Sequence, residues 1–323
     1  MTSMAPVVSV VIPTYKHEAF VVRALESVWA QTFTDYEIIV VNDGSPDSTA
    51  RVLAPYVRSG QVAHYIEQPN AGQGAARNRG IAAAQGMFIA LLDDDDAFPP
   101  DKLAWQVAAL QAHPEAGVVY GYPVPVDAQN DLVAPLDPYG HPLPWPYTAP
   151  TGNVYAPMTE RCWLVSPGQA LVRRQLLGET PFDPTLRGCD DWDLWLRLAE
   201  TCAFLFKERP SLLYRLHGEN ASHDTLAMRK NDFRLLRKHI GRNLFVPRRL
   251  RLVARRYAAY LRWTPSIMTD QAKSDLEAGR SAHAIAKLRY VISLRPYLLL
   301  SPSFQALWHE ANHGAAGRTQ IVP

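Results

Sequence analysis

Over its first 120 residues the chain alternates short apolar runs with amphipathic segments, and few folds accommodate that alternation. The runs are "VVSVVIP" (7–13), "EIIVV" (37–41), "VAHYIE" (62–67), "FIALL" (88–92) and "GVVYGY" (117–122). They are rich in β-branched residues and apolar on both faces, as in strands of a sheet covered on both sides. Helical periodicity fills the gaps, over 18–32, 47–58, 73–85 and 100–112. Pro99 and Pro100 suit the opening turn of the last helix, where a missing N–H costs nothing. Strands alternating with helices predict an α/β fold: a Rossmann-like, doubly wound, mostly parallel sheet.

From Pro123 to Pro167 the texture changes. Prolines recur among Trp145, Tyr147, Tyr155 and Trp163, and no periodicity survives. Aromatic content in so long a connection favours an ordered, functional loop over a disordered insert. "PGQALVRRQLLGE" (167–179) and "CDDWDLWLRLAE" (189–200) read as helices, and "AFLFKERPSLLYRLH" (203–217) reads as a strand. Beyond Thr225 the pattern is helical, and 272–296 has the small-residue spacing of a packed helical hairpin. The expected division is a domain over 1–224, with halves 1–120 and 121–224, and a basic helical C-terminal region over 225–323. A chain of 323 residues, 47% apolar, has material for one large core and an appendage.

The formal net charge of +2 excludes no class of partner, but its distribution is uneven. Residues 229–262 carry about a dozen Lys or Arg against the single acid Asp232. A solvated helical face, attachment to anionic lipid near a lipid-linked acceptor, and nucleic-acid binding are the three readings of such a segment. The last has least support, because no nucleic-acid motif accompanies the charge, and no nucleic-acid partner is expected. "MTSMAPVVSVV" lacks the basic n-region and long apolar core of a signal peptide. No apolar run approaches the roughly 20 residues that span a bilayer. Cys162, Cys189 and Cys202 have no metal-binding spacing and read as reduced thiols. The expected location is cytoplasmic, with peripheral attachment to the inner face of a membrane left open.

Three successive strand ends turn polar together: "IPTY" (12–15), "VVND" (40–43) and "LLDDDD" (91–96). Ligands of open parallel sheets bind outside the carboxyl ends of strands. Adjacent carboxylates repel by about 1 kcal/mol per pair even in water. Four in a row are tolerable if a divalent cation sits among them, and Mg²⁺ or Mn²⁺ takes such oxygen ligands together with substrate phosphates. Capping the next helix needs only one Asp, and Asp96 suits that role. "CDDWDLWLRL" puts Asp190 and Asp191 in the first turn of a helix. Either they merely favour its positive end, or one takes a proton during chemistry.

Six stretches together resemble the family 2 glycosyltransferases: "VSVVIPTYKHEAFVVRALESVWAQT" (8–32), "EIIVVNDGSPDST" (37–49), "NAGQGAARNRGIAAAQG" (70–86), "FIALLDDDDAFPPDKL" (88–103), "CDDWDLWLRL" (189–198) and "YRLHGENAS" (214–222). The resemblance covers 7–222 in order and implies the GT-A fold, an inverting mechanism and a nucleotide-sugar donor, with a UDP-sugar first in line. It implies that Pro13, Thr14, Tyr15 and Asp43 hold the base and ribose, Tyr15 by stacking and Asp43 by accepting an imide N–H. Arg77 is expected beside the base. Asp93 and Asp95 match the family's Asp-x-Asp pair. Because x is also Asp here, the assignment is ambiguous by one position. Asp95 is expected to ligate the metal, with Asp93 or Asp94 reaching the ribose or a metal-bound water, and His217 is a further metal or phosphate contact. Asp191 matches the catalytic base; its neighbour Asp190 stands where the family has Glu. Asp190, Trp145 and Trp163 are the expected acceptor-side residues, for a carbohydrate or lipid-linked glycan in cell-surface glycan or glycoconjugate synthesis. Two alternatives stay open: a nucleotidyltransferase, although "PTYKHEAF" lacks its glycine-rich loop, and a non-catalytic carbohydrate- or partner-binding module on the same fold.

Overall fold

The structure is a computed structural model and describes residues 5–127, 129, 131–133, 148–179, 181–217 and 224–313. The chain divides into two compact units, 1–223 and 224–323.

In the first unit, β1 (Val8–Thr14) lies between two parallel partners. It pairs in parallel with β2 (Tyr36–Asn42) and with β4 (Phe88–Leu91), so that Val11 lies between Ile39 and Leu91. β3 (His64–Glu67) extends this set beyond β2, also in parallel. On the other side, β5 (Ala116–Val126) and β7 (Ala203–Arg215) are parallel to each other, and β6 (Ala170–Arg173) joins them to β4. The seven-stranded order is β3-β2-β1-β4-β6-β5-β7, with β6 antiparallel to both neighbours.

Helix α1 (Val21–Trp29) buries Val21, Ala24, Leu25 and Val28, the i, i+3, i+4, i+7 stripe of a helix facing a sheet. Helices α2 (Thr49–Arg58) and α4 (Lys102–Ala112) bury Leu53, Leu103, Val107 and Leu110 in the core built on Val8, Val10, Ile12, Ile38, Val40 and Phe88. Each such side chain contributes about 1.5–3 kcal/mol when fully buried. Helix α3 (Gln73–Ala83) reaches the sheet through Gly80, where a Cβ would stand 2.3 Å from Val11 Cγ1. Two further helices, α5 (Tyr155–Glu160) and α6 (Asp190–Ala199), follow.

The segment expected as a helix over 167–179 is instead a 3-10 turn, strand β6 and a second 3-10 turn. "ALV" is buried on both faces between β4 and β5, and a short apolar run of that kind has no helical signature of its own. Gln169 fixes the turn before it: its side chain accepts from Val165 N at 2.6 Å and donates to Gly121 O at 2.9 Å. No disulfide joins the cysteines.

The second unit contains α7 (Thr225–Arg242), α8 (Pro247–Glu277), α9 (Ser281–Leu294) and α10 (Pro302–His313). The hairpin expected over 272–296 is the end of α8 against α9, packed through Met268, Ala272, Ala284, Leu288 and Val291. Among the described residues, no helix is long and apolar enough to cross a membrane.

Candidate active site

The four acids after β4 enter four different environments, and their burial alternates. Asp94 and Asp96 are buried, while Asp93 and Asp95 keep access to solvent. The accessible pair is the one spaced as Asp-x-Asp. Asp96 accepts from Arg215 N at 2.9 Å, and its carboxyl is pushed well above the usual range, chiefly by burial and then by Asp95 and Asp93. Asp94 Oδ1 lies 2.7 Å from His17 Nδ1, and Oδ2 accepts from Tyr15 N at 3.3 Å. Burial raises its pKa, against the downward pull of His17. Asp94 therefore ties the acidic loop to the end of β1.

Asp95 Oδ2 lies 2.9 Å from His217 Nε2. His217 stacks on Phe20 with ring centroids 5.1 Å apart and meets His17 edge-on at 6.0 Å. Arg215, two residues earlier, straps the loop from below: Nε donates to Asp95 O at 2.7 Å and Nη1 to Asp127 O at 2.8 Å. The guanidinium thus fixes the backbone that carries the acids.

Asp93 faces the other way. Its Oδ1 accepts from Arg77 Nη2 at 2.7 Å and from Gln73 Nε2 at 3.0 Å, and its Oδ2 accepts from Ser166 Oγ at 3.3 Å. Arg77 is almost fully buried on α3, over the ring of Phe182, and its Nη1 also donates to Asp190 Oδ2 at 3.4 Å. Expected beside a base, Arg77 is seen here bridging the acidic loop and the first turn of α6. Gly74 makes room for the bridge, because a Cβ there would stand 2.8 Å from Asp190 Oδ2. Removing one partner of a buried ion pair typically costs about 3–5 kcal/mol. Arg77→Met is therefore expected to lower the denaturant midpoint of unfolding by a comparable loss of stability, leaving the slope unchanged.

Asp190, named above on the acceptor side, is buried and turned inward on Arg77. Asp191 is more accessible; its Oδ1 accepts from Trp192 N at 2.7 Å. Desolvation and the charge of Asp190 push its carboxyl up to about 7, against the pull of Arg77. A carboxylate with a pKa near the working pH is suited to accept a proton. If Asp191 is the base, it must be ionised, so turnover should climb about tenfold per pH unit below about pH 7 and level off above. A rate–pH profile at saturating donor checks this. The same shift affects stability in the opposite sense: the proton that the folded chain retains stabilises it below the unfolded value of 3.8, and that contribution is lost as pH rises through about 7.

At the second strand end, the Asp43 carboxylate is buried and organises its own loop. Oδ1 accepts from Ala71 N at 2.9 Å and Gln68 Nε2 at 2.7 Å, and Oδ2 from Gly72 N at 2.8 Å. A carboxylate has about four lone-pair sites, so Oδ2 retains capacity for one more donor. Beside it, Asn42, Gly44, Ser45, Glu67 and Gln68 line a depression of about 320 Å³. Pro13 and Thr14 are buried in β1, whereas Tyr15 is 38% exposed, with Lys16 Nζ 5.1 Å from its ring centroid. Lys16 adopts φ 62°, a conformation that costs a non-glycine residue free energy and is concentrated at ligand sites. Trp163 is partly buried, with one ring face under Arg161 at 3.7 Å and its Nε1 donating to Pro157 O. Trp145 lies outside the described residues.

The sequence reading did not anticipate His17, Ser166, Gln73 or Phe20. His17 stands in "PTYKHEAF", two residues beyond the expected base-stacking Tyr15, but only the fold brings it to Asp94. Among the described residues, no three His, Cys, Asp or Glu side chains form a metal cage. A hard cation at such a mouth needs only one or two carboxylates, with water and substrate phosphates completing its shell. Asp95 fits such a role, since its Oδ1 has no hydrogen-bond partner among the described residues.

The sheet order and its carboxylate-bearing strand ends define an α/β protein of the GT-A type. The chain belongs to glycosyl transferase family 2, whose family model matches residues 9–180. It is 27% identical over 245 residues to the chondroitin synthase of Escherichia coli, a match covering 73% of this chain and 33% of that protein. The matched part is thus about a third of that relative's length. Its fold is similar to that of S. aureus TarS 1–349 in complex with UDP, with a TM-score of 0.56, 17% identity, and coverage of 99% of this chain and 94% of that one. It is also similar to the mannosyltransferase PcManGT from Pyrobaculum calidifontis in complex with GDP-Man and Mn²⁺, with a TM-score of 0.52, 18% identity, and coverage of 98% and 89%.

Proposed function

We propose that this glycosyltransferase moves a sugar from a UDP-sugar to a hydroxyl of a glycan or glycoconjugate, with inversion at the anomeric carbon and with Mn²⁺ or Mg²⁺ bound. One observation carries the reading: Asp191, with a carboxyl poised near neutrality, is linked through Asp190 and Arg77 to Asp93 of the acidic loop. UDP in the TarS complex, Mn²⁺ in the PcManGT complex and the synthesis named for the chondroitin synthase support the donor, the ion and the kind of product.

Tyr15 offers a ring face to the base, and Asp43 Oδ2 offers an acceptor to its imide N–H. Asp95, paired with His217, would hold the cation, which when bound offsets negative charge on the diphosphate leaving group. Asp191 takes the proton of the acceptor hydroxyl as its oxygen bonds to the anomeric carbon and the bond from that carbon to the diphosphate oxygen breaks. Attack from the face opposite the leaving group inverts the centre. Asp190 and Arg77 keep Asp191 and Asp93 in register. The acceptor enters from the side of residues 121–224. The basic helices of 224–313 are read as a surface for anionic lipid, where a lipid-linked acceptor would be found.

Thermal unfolding with a panel of nucleoside diphosphates and their sugars tests the donor assignment. A ligand at a hundred times its Kd stabilises the native state by about 2.7 kcal/mol. UDP and one or more UDP-sugars should raise Tm when Mn²⁺ is present and lose that effect in a chelator. A shift that is equal for every nucleotide, or indifferent to metal, contradicts the assignment.

A further inference from the structure

The turn between α7 and α8 presents its apolar residues to solvent. Phe245 is 95% exposed, Leu244 56% and Val246 39%. Exposed apolar residues are common singly, but three in succession at the tip of a helical hairpin mark an interaction site. The turn is firmly built. Asn243 is buried, its Nδ2 donates to His239 O at 2.8 Å, and its backbone N–H caps the last turn of α7 on His239 O and Ile240 O. Val246 N donates to Asn243 O at 2.9 Å, and Leu250 N donates to Val246 O. The three side chains are thus held outward by a hydrogen-bonded frame.

The surroundings of the tip are basic. Arg242, Arg248 and Arg251 are exposed, and from Phe233 to Thr269 the chain has no Asp or Glu. Arg248, Arg249 and Arg251 lie in the first turns of α8, where the helix dipole is positive and disfavours cations. The placement of Arg248 and Arg249 in the first turn therefore does not serve the helix.

We propose that this turn is a membrane-insertion tip: Phe245, flanked by Leu244 and Val246, enters the headgroup–acyl boundary of an anionic bilayer while the arginine collar binds lipid phosphates. The proposal deepens the lipid-surface reading of this unit and rests on it, but it does not depend on the sugar chemistry. An apolar tip within a basic collar matches both layers of such a surface at once. Nucleic acid satisfies the collar and leaves the tip in water. A second copy of the chain covers the tip but, in a two-fold contact, sets one basic collar against another.

Co-sedimentation of the full chain with phosphatidylcholine vesicles, with and without phosphatidylglycerol, tests the proposal, alongside Phe245→Ser and the double variant Arg248→Gln/Arg251→Gln. The parent should bind only the phosphatidylglycerol-containing vesicles. Loss of a buried Phe should weaken that binding about tenfold or more, at low and high salt alike. Loss of two arginines should weaken it roughly fivefold per residue, at low salt only. Phe245→Trp should shift its emission to the blue with the same vesicles. The tip is so exposed that Phe245→Ser should keep the parent Tm. If Phe245→Ser binds like the parent, the collar acts without insertion and the proposal fails. Should the parent ignore anionic vesicles, or should Phe245→Ser dissolve an oligomer seen by light scattering, the partner is not lipid. None of these outcomes bears on donor binding.

Discussion

Asp191→Asn is expected to bind donor as the parent does and to transfer sugar about 10²–10⁴ times more slowly, the usual effect of removing a general base. The amide keeps the size of the carboxylate and its place in the first turn of α6, but it cannot accept the acceptor's proton. Asp190→Asn is the informative neighbour. It points about 100° further round the helix, and its carboxylate is buried on Arg77. Its loss should act through Arg77 and Asp93, weakening donor binding and lowering stability; because the charge of Asp190 helps to raise Asp191, the pH midpoint of turnover should also move down. Kinetics that separate kcat from KM distinguish the two. An inactive Asp190→Asn beside a normal Asp191→Asn would move the base by one residue. Parent rates in both would remove this helix from the chemistry.

The second large effect is at the acidic loop. Asp95→Ala should abolish metal-dependent donor binding without unfolding the chain, because this carboxylate is accessible and its Oδ1 is uncommitted among the described residues. Asp96→Ala should behave in the opposite manner. That side chain is buried and holds Arg215 N, so its removal should destabilise the fold more than it disturbs binding. Titration calorimetry of UDP in Mn²⁺ and urea unfolding, run on both variants, separate the roles. Unchanged UDP affinity in Asp95→Ala would place the ion elsewhere.

The parallel strands and their helices were legible in the sequence because each is a local pattern. β1, β2, β3 and β4 fall where the apolar runs predicted, and the polar strand ends marked the mouth of the sheet. Strand β6 was not legible: "ALVR" between a Ser-Pro turn and a Gly is too short to show a period, and its antiparallel place between β4 and β5 is a long-range fact. Within the acidic run, the sequence pointed to Asp95 for the metal and Asp96 for the helix cap, but four identical residues show nothing of their burial, and Asp96 accepts from Arg215 N rather than capping α4. Burial separates them, by turning Asp94 to His17 and Asp96 to Arg215 and leaving Asp93 and Asp95 accessible. Arg77 and Arg215 show the same limit. A motif identifies them as important, but only distances show that one bridges Asp93 to Asp190 and the other straps the acidic loop.

The most direct measurement is release of nucleoside diphosphate from a panel of nucleotide-sugars, with Mn²⁺ and with a chelator, comparing the parent with Asp191→Asn. The parent should release nucleoside diphosphate from a UDP-sugar, dependent on metal and stimulated by a glycan acceptor, with the stimulated rate lost in Asp191→Asn. Release that ignores the chelator, or an acceptor-stimulated rate that survives Asp191→Asn, would contradict this mechanism.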